Sequence, residues 1–317
     1  MKKVIIFGAT GGVGAYVATG LKDYEVVAVG RRQDNGFFAS NDIEYRRMDV
    51  LNSDLFKYLP SDAHTVINLS GILPAKMEGY NPERYIDNIR GQMNILEYAH
   101  GCDRVIFAQS ISDVIHLYGG MIPEGVTNRF PLNNDHSVYS ICKNASVNLM
   151  EHYSAKYGYQ WAAIRMPHIY MYHPDPYFFV NGIRKKQHHR EMIERAVRGE
   201  EIKIWGDPSK RRDMIYVKDL VNQIRVLIEG EVSGMYNAGT GAGTSLEDQV
   251  RGIVEVFGGS VGYEPENEYL HAEYIMDISR SRLLGYEPRY DYLSYLRDFK
   301  IEMEQNRFEK LWGRPLQ

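Results

Sequence analysis

Apolar residues along the first half of the chain fall in short, nearly unbroken runs, each ended by glycine, serine or charge. Residues 4–7, 25–29, 65–69 and 104–108 have this form, and a further strand is expected around 43–48. Strands buried on both faces read this way, without the polar alternation of a half-exposed sheet. Between the runs, residues 15–22 and 82–100 have helical spacing, the latter through Tyr85, Ile89, Met93 and Leu96. A helix over 138–157 then precedes a strand over 161–165. Strand followed by helix, repeated, predicts an α/β fold: a doubly wound parallel (Rossmann) sheet whose strand C-termini share one ligand-binding edge.

After residue 165 the alternation fades. Pro167, Pro174 and Pro176 interrupt it, a charged helix is expected over 184–198, and short strands over 202–205, 215–217 and 235–238. Residues 1–165 are therefore read as the main domain and 166–317 as a smaller substrate-binding lobe, with segments around 213–240 returning to the main domain.

Composition narrows the classes. A formal net charge of -4 gives no sign of a nucleic-acid surface. No run approaches the roughly 18 apolar residues that cross a bilayer, and the stretch after Met1-Lys2-Lys3 is too short for a signal-peptide core. Two cysteines, Cys102 and Cys142, are too few for a disulfide framework, so a soluble protein in a reducing, cytoplasmic setting is expected.

Between the first strand and helix stands Gly8-Ala9-Thr10-Gly11-Gly12-Val13-Gly14. Glycines at 8, 11 and 14 let the backbone turn sharply and approach a pyrophosphate, while the helix N-terminus offers N–H donors and a positive dipole end. Gly12 and Val13 complete this cradle. After the second strand, where an acidic residue would bond the ribose of NAD, stand Arg31 and Arg32. Two guanidinium groups suit a 2'-phosphate, so NADP is expected in preference to NAD.

Tyr139 and Lys143 are four residues apart on a helix, hence on one face. The spacing alone recurs by chance in a chain with 24 Tyr; the order of phosphate loop, hydroxyl, then phenol with lysine is what informs. A phenol titrates near pH 10, and a neighbouring ammonium is expected to lower it into the working range. Tyr139 is then the acid/base, Lys143 tunes it and bonds the cofactor ribose, and Ser110 holds the substrate oxygen. Ser112 is the alternative hydroxyl.

The chain resembles the extended short-chain dehydrogenases/reductases, the group holding NAD(P)-dependent epimerases and dehydratases of nucleotide sugars. The likeness rests on these motifs with Asp49-Val50, Val66 to Gly71, Asn88, Ile164 to Tyr170, Arg212 to Leu220 and Tyr236 to Thr240. It implies that Asp49 and Val50 contact the adenine, that Leu69, Ser70 and Gly71 line the nicotinamide ribose with Asn88 among the cofactor residues, and that Pro167, His168 and Ile169 lie against the carboxamide. Arg212 would grip the diphosphate of the substrate. It also implies a homodimer formed through the helices at 82–100 and 138–157. Ile111 and Ser112 stand where dehydratases of the group carry an acidic pair, which argues against dehydration, and the arginine often found before the aspartate matching Asp277 is missing from 268–273. The expected activity is epimerisation or keto-reduction of a nucleotide sugar. A cofactor-sensing regulator of the same fold without turnover is the alternative.

Three features are read as structural. Lys185 to Arg190, with adjacent His188 and His189, is expected to be a solvated helix face, since adjacent helical residues diverge by about 100° and no metal site is expected. His168 and His173 are taken as structural histidines rather than auxiliary acids. Tyr170, Tyr172, Tyr177, Phe178 and Phe179 suit either packing or stacking on a substrate ring.

Overall fold

Alternate residues of the first strand, β1 (Lys3–Phe7), enter different cores. Val4 and Ile6 pack with Ala15, Ala28 and Ile164, while Ile5 and Phe7 pack with Val27, Val29, Leu96 and Met150. A strand sandwiched in this way cannot carry polar side chains on either face, and each large side chain so buried contributes about 1.5–3 kcal/mol. The protein is described by a computed structural model covering residues 1–125, 136–267 and 272–315.

β2 (Glu25–Gly30), β3 (Glu44–Arg47), β4 (Thr65–Asn68), β5 (Arg104–Ser110), β6 (Gln160–Met166) and β7 (Ser233–Asn237) complete a seven-stranded parallel sheet in the order β7-β6-β5-β4-β1-β2-β3. Helix α1 (Gly12–Gly20) belongs to the first core, and α2 (Ile86–Tyr98) and α3 (Ser137–Tyr157) cover the other face. Strand order reverses between β1 and β4, and ligands of such sheets bind in the crevice outside the carboxyl ends at that reversal. Ile86 and Met93 of α2 and Ile141 of α3 remain exposed, on the helices where the resemblance expects a second copy.

The C-terminal ends of three strands are tied together by one buried charge. Arg165 of β6 is fully buried and grips Asp113 in a fork, Nε to Oδ1 at 2.9 Å and Nη2 to Oδ2 at 3.0 Å. Its Nη1 donates to Asn237 Oδ1 of β7 at 2.9 Å. Asn237 in turn donates to the carbonyls of Ile122 and Asp277, at 2.8 and 3.0 Å. Ile122 ends a strand of a smaller four-stranded sheet, Gly120–Ile122, Arg211–Asp213, Gly243–Ser245 and Tyr274–Met276. The Arg165 network therefore joins the main sheet to that smaller one.

Other segments past residue 165 depart from the sequence reading. The expected charged helix divides: Ile183–Lys186 is a strand paired with Tyr177–Val180, and the helix spans His188–Val197. His189 and Arg190 are buried, not solvated, with the Arg190 guanidinium 5.4 Å and 5.7 Å from the Tyr172 and Phe299 rings. Charge was taken as exposure there, and the aromatic rings that receive the guanidinium come from distant parts of the chain. Helices Val217–Glu229, Leu246–Phe257 and Tyr292–Gln305 are additional to the elements expected from the sequence. Among the described residues no helix is long and apolar enough to cross a membrane, and Cys102 and Cys142 are free thiols.

Removing Asp113 leaves the Arg165 charge buried and unpaired. Asp113→Ala is expected to cost about 3–5 kcal/mol in urea unfolding, and Asp113→Ala combined with Arg165→Met to recover much of the loss. A cost below about 1 kcal/mol for the single variant would contradict the role given to this pair.

Candidate active site

Gly8 leaves β1 at φ +82°, and a methyl added there would lie 2.7 Å from the Leu69 carbonyl carbon and the Ser70 nitrogen. The turns after β1 and β4 are thus in backbone contact across the sheet's reversal point. A methyl on Gly14 would collide with the Gly8 carbonyl, so α1 starts as close to the strand as backbone allows. No side chain caps α1 and no acid lies in its first turn. Its first N–H groups and positive end are available to an anion, and the donors of Gly12, Val13 and Gly14 fit a dinucleotide pyrophosphate.

Beside this turn, Asn68 Oδ1 accepts from the Ser70 amide at 2.9 Å and its hydroxyl at 2.6 Å, shaping the run Leu69 to Gly71. Asn88 holds the same loop from α2, accepting from the Ile72 N–H at 2.7 Å and donating to its carbonyl at 3.0 Å. Its amide is committed to that loop. At the far end, Arg31 and Arg32 are exposed after β2, with Arg31 Nη1 3.8 Å from Asp49 Oδ2. Asp49 also caps the Leu51 amide at 3.0 Å, and the Val50 carbonyl accepts from Asn94 at 2.8 Å. The segment that ought to meet the adenine is fixed by local bonds.

Ser110 ends β5, with its Oγ 2.6 Å from Ser112 Oγ, and it hydrogen-bonds the Tyr139 side chain. The two hydroxyls form one pair rather than alternatives. Tyr139 and Lys143, one turn apart on α3, are 5% and 4% exposed. Lys143 Nζ donates to the Ala108 carbonyl of β5 at 2.6 Å and lies 4.4 Å from the Phe107 ring and 5.8 Å from the Tyr139 ring. Tyr139 packs edge-on against Tyr85, ring centroids 5.6 Å apart, in a small cluster with Met77 and Cys142.

The expected tuning of the phenol by the ammonium is not what this arrangement produces. Burial dominates both groups. It pushes the Tyr139 phenol well above its ordinary range, with the Ser110 hydrogen bond pulling the other way, and it pushes the Lys143 amine down to about 7. An amine titrating near neutrality supplies only part of a charge, which burial of the phenol outweighs.

Arg212, on the strand Arg211–Asp213, donates from Nη2 to the Tyr170 hydroxyl at 3.4 Å. Its strand is pinned by buried Asp213, which accepts from the amides of Thr240 and Gly241 at 3.0 Å and Met276 at 3.1 Å. The Arg212 charge acts on the phenols of Tyr118, Tyr274 and Tyr295, and Tyr118 also feels Asp113, next to Ser112. Tyr118 and Tyr274 are stacked at 5.3 Å. Sequence reading missed these tyrosines and Asp113; closeness to Ser110 in the chain was the only signal for Tyr118 and Asp113. Pro167 is buried, His168 is exposed beside Tyr170, and Ile169 pairs with Ile215, all just past the end of β6. His173 is pushed down to about 4 by burial, with help from the Lys76 and Arg32 charges. Residues 268–271 of the segment without an arginine lie outside the described residues.

Because burial lowers the folded-state pKa of Lys143 from 10.5 to about 7, the unfolded chain binds the extra proton between those values. The cost of burying that charge is fully present below about pH 7 and fades as pH approaches the unfolded value. In urea unfolding, wild type is expected to gain stability relative to Lys143→Met as pH rises from about 7 to about 10. A difference that does not move with pH would contradict the assigned burial.

The family description "NAD dependent epimerase/dehydratase family" matches residues 4–239. The low-salt glycan biosynthesis protein Agl12 of Haloferax volcanii is 25% identical over 256 residues, 77% of this chain and 76% of its own. GDP-L-fucose synthase 1 of Arabidopsis thaliana is 26% identical over 236 residues, 69% and 71% of the two chains. The structure of UDP-glucuronic acid 4-epimerase from Bacillus cereus in complex with NAD superposes with a TM-score of 0.73 at 20% identity, covering 96% of this chain and all (100%) of the other. The seven-stranded sheet, the glycine turn and this match agree: the chain belongs to the NAD-dependent epimerase/dehydratase family and is an enzyme of the extended short-chain dehydrogenase/reductase type.

Proposed function

We propose that the protein interconverts a hydroxyl and a ketone on a nucleotide sugar, as an epimerase or a keto-sugar reductase, with Ser110, Tyr139 and Lys143 as its catalytic residues. One observation carries the reading: Ser110 bonds Tyr139, and Lys143 reaches back to the same strand, at the sheet edge that also holds the glycine turn. A bound nicotinamide supplies the hydride acceptor or donor. Tyr139 takes the proton from the sugar hydroxyl as it is oxidised, or returns one to the ketone oxygen as it is reduced. The Ser110–Ser112 hydroxyl pair hydrogen-bonds that oxygen and stabilises its developing charge. Lys143, to the extent that it is protonated, adds positive charge near Tyr139 that offsets only part of the burial holding the phenol neutral. Arg212, ringed by Tyr118, Tyr170 and Tyr274, suits a diphosphate, which a guanidinium bonds through two donors.

The carboxylate next to the hydroxyl pair in sequence, Asp113, argues against dehydration. Asp113 is bound in a fork to Arg165 and is not available as an acid or base at the sugar. Arg31 and Arg32 support NADP as the preferred cofactor, since both are exposed at the end of β2 and no carboxylate immediately follows that strand.

Tyr139→Phe should lower turnover on a converted nucleotide sugar by at least about 100-fold while leaving NADP affinity nearly unchanged. Undiminished turnover would refute the mechanism. NADPH loss in step with keto-sugar consumption separates reductase from epimerase. Arg31→Ala with Arg32→Ala should weaken NADP by roughly 10- to 100-fold and NAD much less, measured by calorimetric titration. Equal losses for the two dinucleotides would sink the preference.

A further inference from the structure

We propose that residues 306–313 belong to the cofactor site, as a clamp that holds the phosphate loop and the loop behind Arg32 in fixed relation. The inference rests on reading the Gly8–Gly14 turn as the pyrophosphate site.

The turn is far away in sequence and in direct contact in space. Trp312 Nε1 donates to the Thr10 carbonyl at 3.1 Å. The next N–H, that of Gly11, donates to the Gly8 carbonyl at 3.0 Å. The Thr10–Gly11 peptide is therefore held at both ends, one end by the C-terminal turn. That peptide leads straight into α1, so its plane sets the aim of the Gly12 and Val13 N–H groups. Without the indole bond, the plane would be held from one side only.

The same turn reaches the adenosine end. Asn35 Nδ2 donates to the Lys310 carbonyl at 3.1 Å, and Lys310 Nζ donates to Ser40 Oγ at 2.7 Å. Between these tethers sits Phe308, wholly buried, 4.6 Å from the Tyr16 ring of α1 and 5.4 Å from the Phe37 ring. Trp312 stacks on Phe308 at 4.3 Å and packs at a tilt against His173 at 4.5 Å. The Met171 side chain fills the space where a side chain on Gly12 would stand, and His173 lies next to the same space. Aromatic contacts and two tethers thus bridge the turn read as the pyrophosphate site and the loop at the adenosine end. Ordering them before binding raises affinity, because the ligand no longer bears the cost of ordering them.

The test is calorimetric titration of NADP into the full chain and into Trp312→Phe and Trp312→Ala, with circular dichroism and urea unfolding as controls of the fold. Trp312→Phe keeps a ring against His173 and Phe308 while losing the N–H donor and part of the indole's area, so it is the variant that keeps the test open if the alanine form fails to fold. It is expected to bind NADP about 3- to 10-fold more weakly, and Trp312→Ala more weakly again. Asn35→Gly, which cuts the other tether at a position of φ +49° that glycine adopts without strain, should weaken NADP without changing the unfolding midpoint appreciably. Affinity equal to wild type in folded Trp312→Phe and Asn35→Gly overturns the clamp. Wild-type protein that binds neither NADP nor NAD overturns the reading of the glycine turn itself, a different failure.

Discussion

Withdrawal of Tyr139 and Lys143 from water is the constraint on which the site depends. Both lie on α3 against the end of β5, and neither has solvent to stabilise its charged form. In water a phenol and an amine would titrate near the same pH; here burial raises one and lowers the other toward neutrality. Burial holds the phenol neutral and leaves the amine only partly protonated, so a proton leaves Tyr139 only when further positive charge is brought close to it. Groups of that kind suit a reaction in which a proton must leave and return at one oxygen.

The surroundings keep this pair in register. Arg165 and Asp113 lock β5, β6 and β7 at the edge where Ser110 emerges, and Asn237 extends the lock to the smaller sheet that carries Arg212. The same ion pair removes Asp113 from the chemistry.

Much of this was legible in the sequence because it depends on local chemistry. The runs at 4–7 and 104–108 could only be strands covered on both sides, and Gly8 and Gly14 occupy places where any side chain would strike backbone. The order of glycine turn, Ser110, Tyr139 and Lys143 then located the edge. What the sequence did not reveal depends on partners distant along the chain. Burial of Arg190 needs Tyr172 and Phe299, the lock on Asp113 needs Arg165, and the bond to Thr10 needs Trp312. The tuning of Tyr139 was misjudged for a related reason: helical spacing brings Lys143 to the same face but says nothing of the desolvation that outweighs its charge.

The most direct measurement is the phenolate absorbance of Tyr139, taken as the ultraviolet difference spectrum between wild type and Tyr139→Phe across pH, with and without oxidised NADP. The account predicts titration well above pH 10 for the protein alone and a lower apparent pKa when the cationic nicotinamide is bound beside the phenol. A phenol that titrates at or below 10 without cofactor, or one that cofactor leaves unmoved, would contradict it.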